Sequence, residues 1–123
     1  MARILLVEDS LGVSLSVREI LKAAGPTVVE ARNGVKTLAA MKDDKCELIV
    51  SDIWMPEMDG ISLLKKLRSS GNNIPVVVIS GGAPDAPLTY TAPLASTFGA
   101  NVVVYKPFEN AELLNAVNSA LRS

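Results

Sequence analysis

A doubly wound α/β domain, with helices covering both faces of a parallel sheet, is the fold class that this sequence predicts. Three observations predict it. Four short runs, residues 4–7, 48–50, 76–79 and 102–104, are apolar without alternation, as strands buried on both faces require. Stretches of helical period lie between them. The 123 residues contain no linker, low-complexity tract or internal repeat, so one domain over residues 1–123 is expected.

The first strand is Ile4-Leu5-Leu6-Val7. Val13, Val17, Ile20, Leu21 and Ala24 then recur at spacings of three and four, and Gly25-Pro26 stops that helix. Thr27-Val28-Val29-Glu30-Ala31 is a more amphipathic strand, suited to a place near an edge of the sheet. Val35, Leu38 and Met41 repeat the helical pattern, as do Leu63, Leu64 and Leu67 ahead of Gly71. The segment 81–99 holds Pro84, Pro87 and Pro93. An interior proline costs a helix ~3 kcal/mol, so a loop followed by a short helix near residues 94–98 is expected there. The last helix carries Leu113, Leu114, Val117 and Leu121, with Asn110 as the candidate N-cap. The result is β-α repeated five times.

Composition removes several functions. There is no histidine, which excludes Ser-His-Asp and Cys-His triads, HExxH zinc sites and imidazole acid/base chemistry. Twelve basic against 13 acidic residues leave a net charge of −1, which gives no electrostatic footprint for direct nucleic-acid binding. Cys46 is the only cysteine and reads as a small, partly buried hydrophobe in a reducing compartment. The N-terminal apolar run is too short for a signal peptide or a membrane span. Cytoplasmic residence without membrane insertion is the expectation.

In a doubly wound sheet, ligands bind beyond the carboxyl ends of the strands. Glu8 and Asp9 follow the first strand, Asp52 the third, Ser80 with Gly81-Gly82 the fourth, and Lys106-Pro107 the fifth. Three carboxylates, a hydroxyl and an ammonium therefore converge on one edge. The carboxylates repel one another unless a cation joins them. With Lys106, a divalent ion brings the formal charge of the set to zero. Oxygen donors suit Mg²⁺, whereas zinc would want Cys or His. Such a set can transfer a phosphoryl group: Asp52 attacks phosphorus in line while the cations neutralise the equatorial oxygens.

These residues carry a family resemblance. Glu8-Asp9, the stretch from Ser51 through Asp52, Met55-Pro56 and Asp59-Gly60, Ser80, and Lys106-Pro107-Phe108 together resemble the receiver domain of two-component response regulators, over essentially the whole chain. The resemblance implies a flavodoxin-like five-stranded parallel sheet of order 2-1-3-4-5. It implies Asp52 as phosphoacceptor, with Mg²⁺ held by Glu8 (mainly through water), Asp9, Asp52 and the main-chain carbonyl of Trp54. Ser80, Gly81 and Lys106 would meet the phosphoryl group, and the bond before Pro107 would be cis. The donor would be a histidine kinase or a histidine phosphotransfer protein. A downstream protein target would meet the surface of the fourth helix, fifth strand and fifth helix. On this resemblance the chain would be a stand-alone, single-domain receiver, a self-modifying signalling domain and not an ordinary enzyme.

Two departures accompany the resemblance. The family's aromatic residue three positions before the lysine is here Val103, with Tyr105 and Tyr90 as candidates for its place at the switch surface. Between Ser80 and Lys106 lie 25 residues, a few more than expected, and the excess falls in the proline-rich part. Alternative readings are a receiver fragment of a larger multidomain regulator or kinase, a Mg²⁺-dependent aspartyl phosphatase, and a flavodoxin-like binding module. The phosphatase needs a second acid two residues after the nucleophile, where Trp54 stands. The flavin module needs a Ser/Thr/Gly-rich first loop, which is missing.

Overall fold

The computed structural model describes residues 3–8, 11–31, 36–37, 46–52, 60–80, 99–105 and 108–122. Five strands form one sheet: β1 (Arg3–Val7), β2 (Thr27–Ala31), β3 (Leu48–Asp52), β4 (Val76–Ser80) and β5 (Val102–Tyr105). Their order is β2-β1-β3-β4-β5 and every pairing is parallel. Each predicted apolar run is a strand, and the amphipathic one, β2, stands at the edge as its half-exposed pattern requires. Three helices are described in full: α1 (Leu11–Ala23), α2 (Gly60–Ser69) and α3 (Asn110–Leu121). Of the helix expected around residues 35–41, Lys36 and Thr37 are described as helical, with Thr37 fully buried. The short helix expected at 94–98 lies outside the described residues.

Strand alternation divides the core into two layers. Ile4 and Leu6 of β1, Leu48 and Val50 of β3, Val77 and Ile79 of β4 and Val104 of β5 pack against Val17 and Leu21 of α1 and Leu113, Ala116, Val117 and Ala120 of α3. The intervening residues Leu5, Val7, Ala31, Ile49, Val76 and Val78 pack against Leu63, Leu64 and Leu67 of α2, with Cys46 partly buried beside them. Both faces are covered, which is why the strands read as continuous apolar runs.

The helix ends follow local chemistry. The cap of α3 is Glu109 rather than Asn110: Glu109 is extended, the Glu112 carboxylate accepts from its backbone N–H at 3.2 Å, and Asn110 is the first helical residue. A Glu three residues on allows this capping box, and the preference for Asn as a lone cap does not outweigh it. At the end of α2, Gly71 takes φ 82° while the amide of Asn72 reaches back to the Leu67 carbonyl at 2.9 Å.

Arg68 ties this turn to the approach of β5. One guanidinium nitrogen donates to the carbonyls of Asn72 (3.0 Å) and Ile74 (2.8 Å). The other donates to the carbonyl of Gly99 (2.7 Å) and to Oδ1 of Asn101 (3.3 Å). Asn101 Oδ1 also accepts from the Val76 amide at 2.9 Å, which joins the clamp to the first residue of β4. Burial lowers the pKa of Arg68 from its ordinary value, but a guanidinium remains charged at any physiological pH. Gly99, at φ 104°, sits where a Cβ would come within 2.8 Å of Arg68 Nε.

Candidate functional site

The carboxyl edge of the sheet is built by strand register. Val7 of β1 pairs with Ser51 of β3, so the next residues along, Glu8 and Asp52, stand level on neighbouring strands ~4.8 Å apart. Alternation puts both on the face covered by α1 and α3. The Glu8 amide donates to the Ala31 carbonyl at 3.1 Å, which fixes the end of β1 against β2. On the other side Asp52 pairs with Ile79, and one step further Ser80 pairs with Tyr105. Lys106 follows Tyr105 directly in the chain.

Two carboxylates are thereby held in the sheet's own interior, Glu8 at 5% exposure and Asp52 at 8%. An ionised carboxylate out of water is costly unless it is paired or coordinated, and both residues have interaction partners. Together they supply hard oxygen donors on adjacent strands. This donor set fits Mg²⁺, which binds through carboxylates and retains waters. Among the described residues no group of three His, Cys, Asp or Glu comes together. The third acid of the expected set, Asp9, lies outside the described residues, as do Trp54, Gly81, Tyr90, Lys106 and Pro107. Of the expected site residues, the structure describes Glu8, Asp52, the Ser80 backbone, Val103 and Tyr105.

Val103 is partly buried against the α2 layer, while Tyr105, on the same strand face, is 48% exposed at the outer edge of the sheet. An open cleft of about 400 Å³ runs between β5 and α3, lined by Val102, Val104, Tyr105, Glu112, Asn115 and Ser119 among others.

Two residues gain weight that sequence reasoning did not give them. Ser51 is 1% exposed, and its Oγ donates to the Asp52 carbonyl at 2.9 Å. Its signal was the polar residue interposed between an apolar run and the acid. Arg68 had no such signal, because its neighbours in the helix pattern are ordinary core and surface positions.

With this geometry in place, comparison with known proteins identifies the class: the family model described as "Response regulator receiver domain" matches residues 4–118. The chain belongs to that family, the receiver domains of two-component signalling. Among curated relatives it is 36% identical over 120 residues to the response regulator MprA of Mycobacterium ulcerans, covering 98% of this chain and 50% of that protein. It is 37% identical over 122 residues to the sensor kinase CckA of Brucella abortus, covering 98% of this chain and 12% of that one. Among solved structures it is similar to the "response regulator receiver domain protein (CheY-like)" of Methanospirillum hungatei, with a TM-score of 0.86 and 26% identity, covering 99% of this chain and 94% of that one. The chain thus spans half or less of the curated relatives named here. No helix among the described residues is long and apolar enough to cross a membrane.

Proposed function

We propose that Asp52 accepts a phosphoryl group from a phosphohistidine on a histidine kinase or histidine phosphotransfer protein, in the cytoplasm. A carboxylate oxygen of Asp52 attacks phosphorus as the P–N bond to the donor imidazole breaks, and the imidazole leaves with the bonding electrons and takes up a proton. The product is an acyl phosphate on Asp52. The observation that carries this reading is the placement of Asp52, nearly buried at the carboxyl end of the central strand and level with a second buried carboxylate, Glu8.

Mg²⁺, held by Glu8, Asp9, Asp52 and the main-chain carbonyl of Trp54, would neutralise charge on the transferring group. Ser80 and Gly81 would donate to the new phosphoryl oxygens and Lys106 would pair with them, with Pro107 shaping the turn that carries the lysine. Phosphorylation changes the charge at Asp52 from −1 to about −2. Ser80 is paired with Tyr105 across β4 and β5, so a shift at Ser80 is delivered to the edge strand. That edge, with α3 and the helix expected near residues 94–98, is where a downstream protein would read the change. The same chemistry serves a stand-alone receiver and a receiver within a longer regulator or kinase.

The test is labelling by a cognate phosphorylated kinase with Mg²⁺. Wild-type protein should take up label and Asp52→Asn should take up none. Undiminished labelling of Asp52→Asn removes the reading.

A further inference from the structure

The row of residues that crosses the sheet one step before the acceptor is Ala31, Val7, Ser51, Val78 and Val103 on β2, β1, β3, β4 and β5. Four of the five are aliphatic, and this row forms part of the layer packed against Leu63, Leu64 and Leu67. Ser51 is its one polar member and is 1% exposed. A valine there would match its neighbours and bury more apolar surface, whereas a buried hydroxyl is unfavourable unless it is hydrogen-bonded. Among the described residues the hydroxyl makes no bond across the layer. It donates at 2.9 Å to the carbonyl of Asp52, the residue at which β3 ends.

We infer that Ser51 is a positioning residue for phosphoryl transfer, holding the main chain of Asp52 so that the acceptor carboxylate keeps its in-line direction. This rests on the proposed role of Asp52. The side chain of Asp52 leaves the sheet on the α1/α3 face, while Ser51 works from the opposite face. It therefore touches neither donor nor phosphoryl group and acts through the peptide. The bond fixes the peptide plane on the carboxyl side of Asp52, where β3 ends. Small displacements of a nucleophile are costly in displacement reactions, because the reacting atoms must be aligned.

The experiment uses acetyl phosphate with Mg²⁺ as the probe. In it, a carboxylate oxygen of Asp52 forms the bond to phosphorus and acetate leaves with the electrons of the broken P–O bond. Labelling rate is measured against donor concentration, alongside a thermal melt, for wild type, Ser51→Val, Ser51→Ala, Ser51→Thr and Ser70→Ala. Ser70 Oγ makes a similar bond, 2.8 Å to the Leu67 carbonyl, away from the carboxyl edge.

Ser51→Val is expected to lower the maximal labelling rate about 10-fold, the rate equivalent of one hydrogen bond. The donor concentration at half-maximal rate and the melting temperature should hold or, for the melt, rise. Ser51→Thr should restore most of the rate, and Ser51→Ala should repeat the loss if the valine variant does not fold. Labelling of both Ser51→Val and Ser51→Ala within twofold of wild type overturns the inference and leaves the role of Asp52 standing. A Ser70→Ala variant slowed as much as Ser51→Val also overturns it. Folded wild type that takes no label from either donor overturns both readings together.

Discussion

Replacing Arg68 with alanine removes the donor that joins α2, the start of β4 and the approach of β5. Three main-chain carbonyls, of Asn72, Ile74 and Gly99, lose bonds of 3.0, 2.8 and 2.7 Å, and Asn101 Oδ1 loses one of 3.3 Å. A hydrogen bond to a charged group is worth ~1.5–3 kcal/mol, but this site is only half-buried and water can replace part of each, so about 1 kcal/mol per carbonyl is reasonable. The variant should lose about 3 kcal/mol, which for a domain of this size lowers the melting temperature by roughly 10 °C. Arg68→Lys should recover no more than about a third of it, because one ammonium cannot span both sides of the clamp as a planar fork does. Circular dichroism melts and urea titrations, with the m-value checked for constancy, read the effect. A fall of less than ~2 °C for Arg68→Ala, or full recovery by Arg68→Lys, would refute the idea that this guanidinium fastens the two turns together.

Two glycines beside that clamp separate backbone strain from steric contact. Gly71→Ala, at φ 82° with nothing within 4 Å of the added Cβ, should cost only the left-handed penalty of ~1–2 kcal/mol. Gly99→Ala adds a Cβ at 2.8 Å from Arg68 Nε and should cost more, with the excess shrinking in an Arg68→Ala background; equal losses in urea titration would show that the contact yields freely. With Asp52 as the proposed acceptor, Trp54→Ser, two residues further along the chain, is expected to shorten the lifetime of the labelled protein several-fold by admitting water to the acyl phosphate. An unchanged decay of label would remove that role for Trp54.

The sheet was legible because parallel strands buried on both faces leave an unmistakable mark, apolar runs of a few residues without alternation. Asp52 was legible as a candidate for the complementary reason: it closes such a run, directly after Ser51, where a carboxylate is costly unless it is paired or coordinated. Register was not legible from the runs themselves, so the level placement of Glu8 and Asp52, and the pairing of Ser80 with Tyr105, emerge only in the folded sheet. Sequence preference places the cap of α3 one residue late because Asn110 suits a lone cap, while the Glu109–Glu112 pair forms a reciprocal one. Arg68 stayed hidden since three of its four partners are backbone carbonyls, which sequence does not distinguish.

Register has a second consequence, for how the chain arrives at its fold. A one-residue slip of β3 against β1 would exchange the two faces of the strand. Leu48, Ile49 and Val50 are nearly interchangeable hydrophobes, so they resist such a slip weakly. Ser51 and Asp52 do not exchange: a slip would drive the carboxylate into the layer of Leu63, Leu64 and Leu67. The two polar residues that close β3 are then also the marks by which the folding chain tells correct from incorrect pairing, and a misregistered sheet is rejected at the same position proposed for phosphoryl transfer.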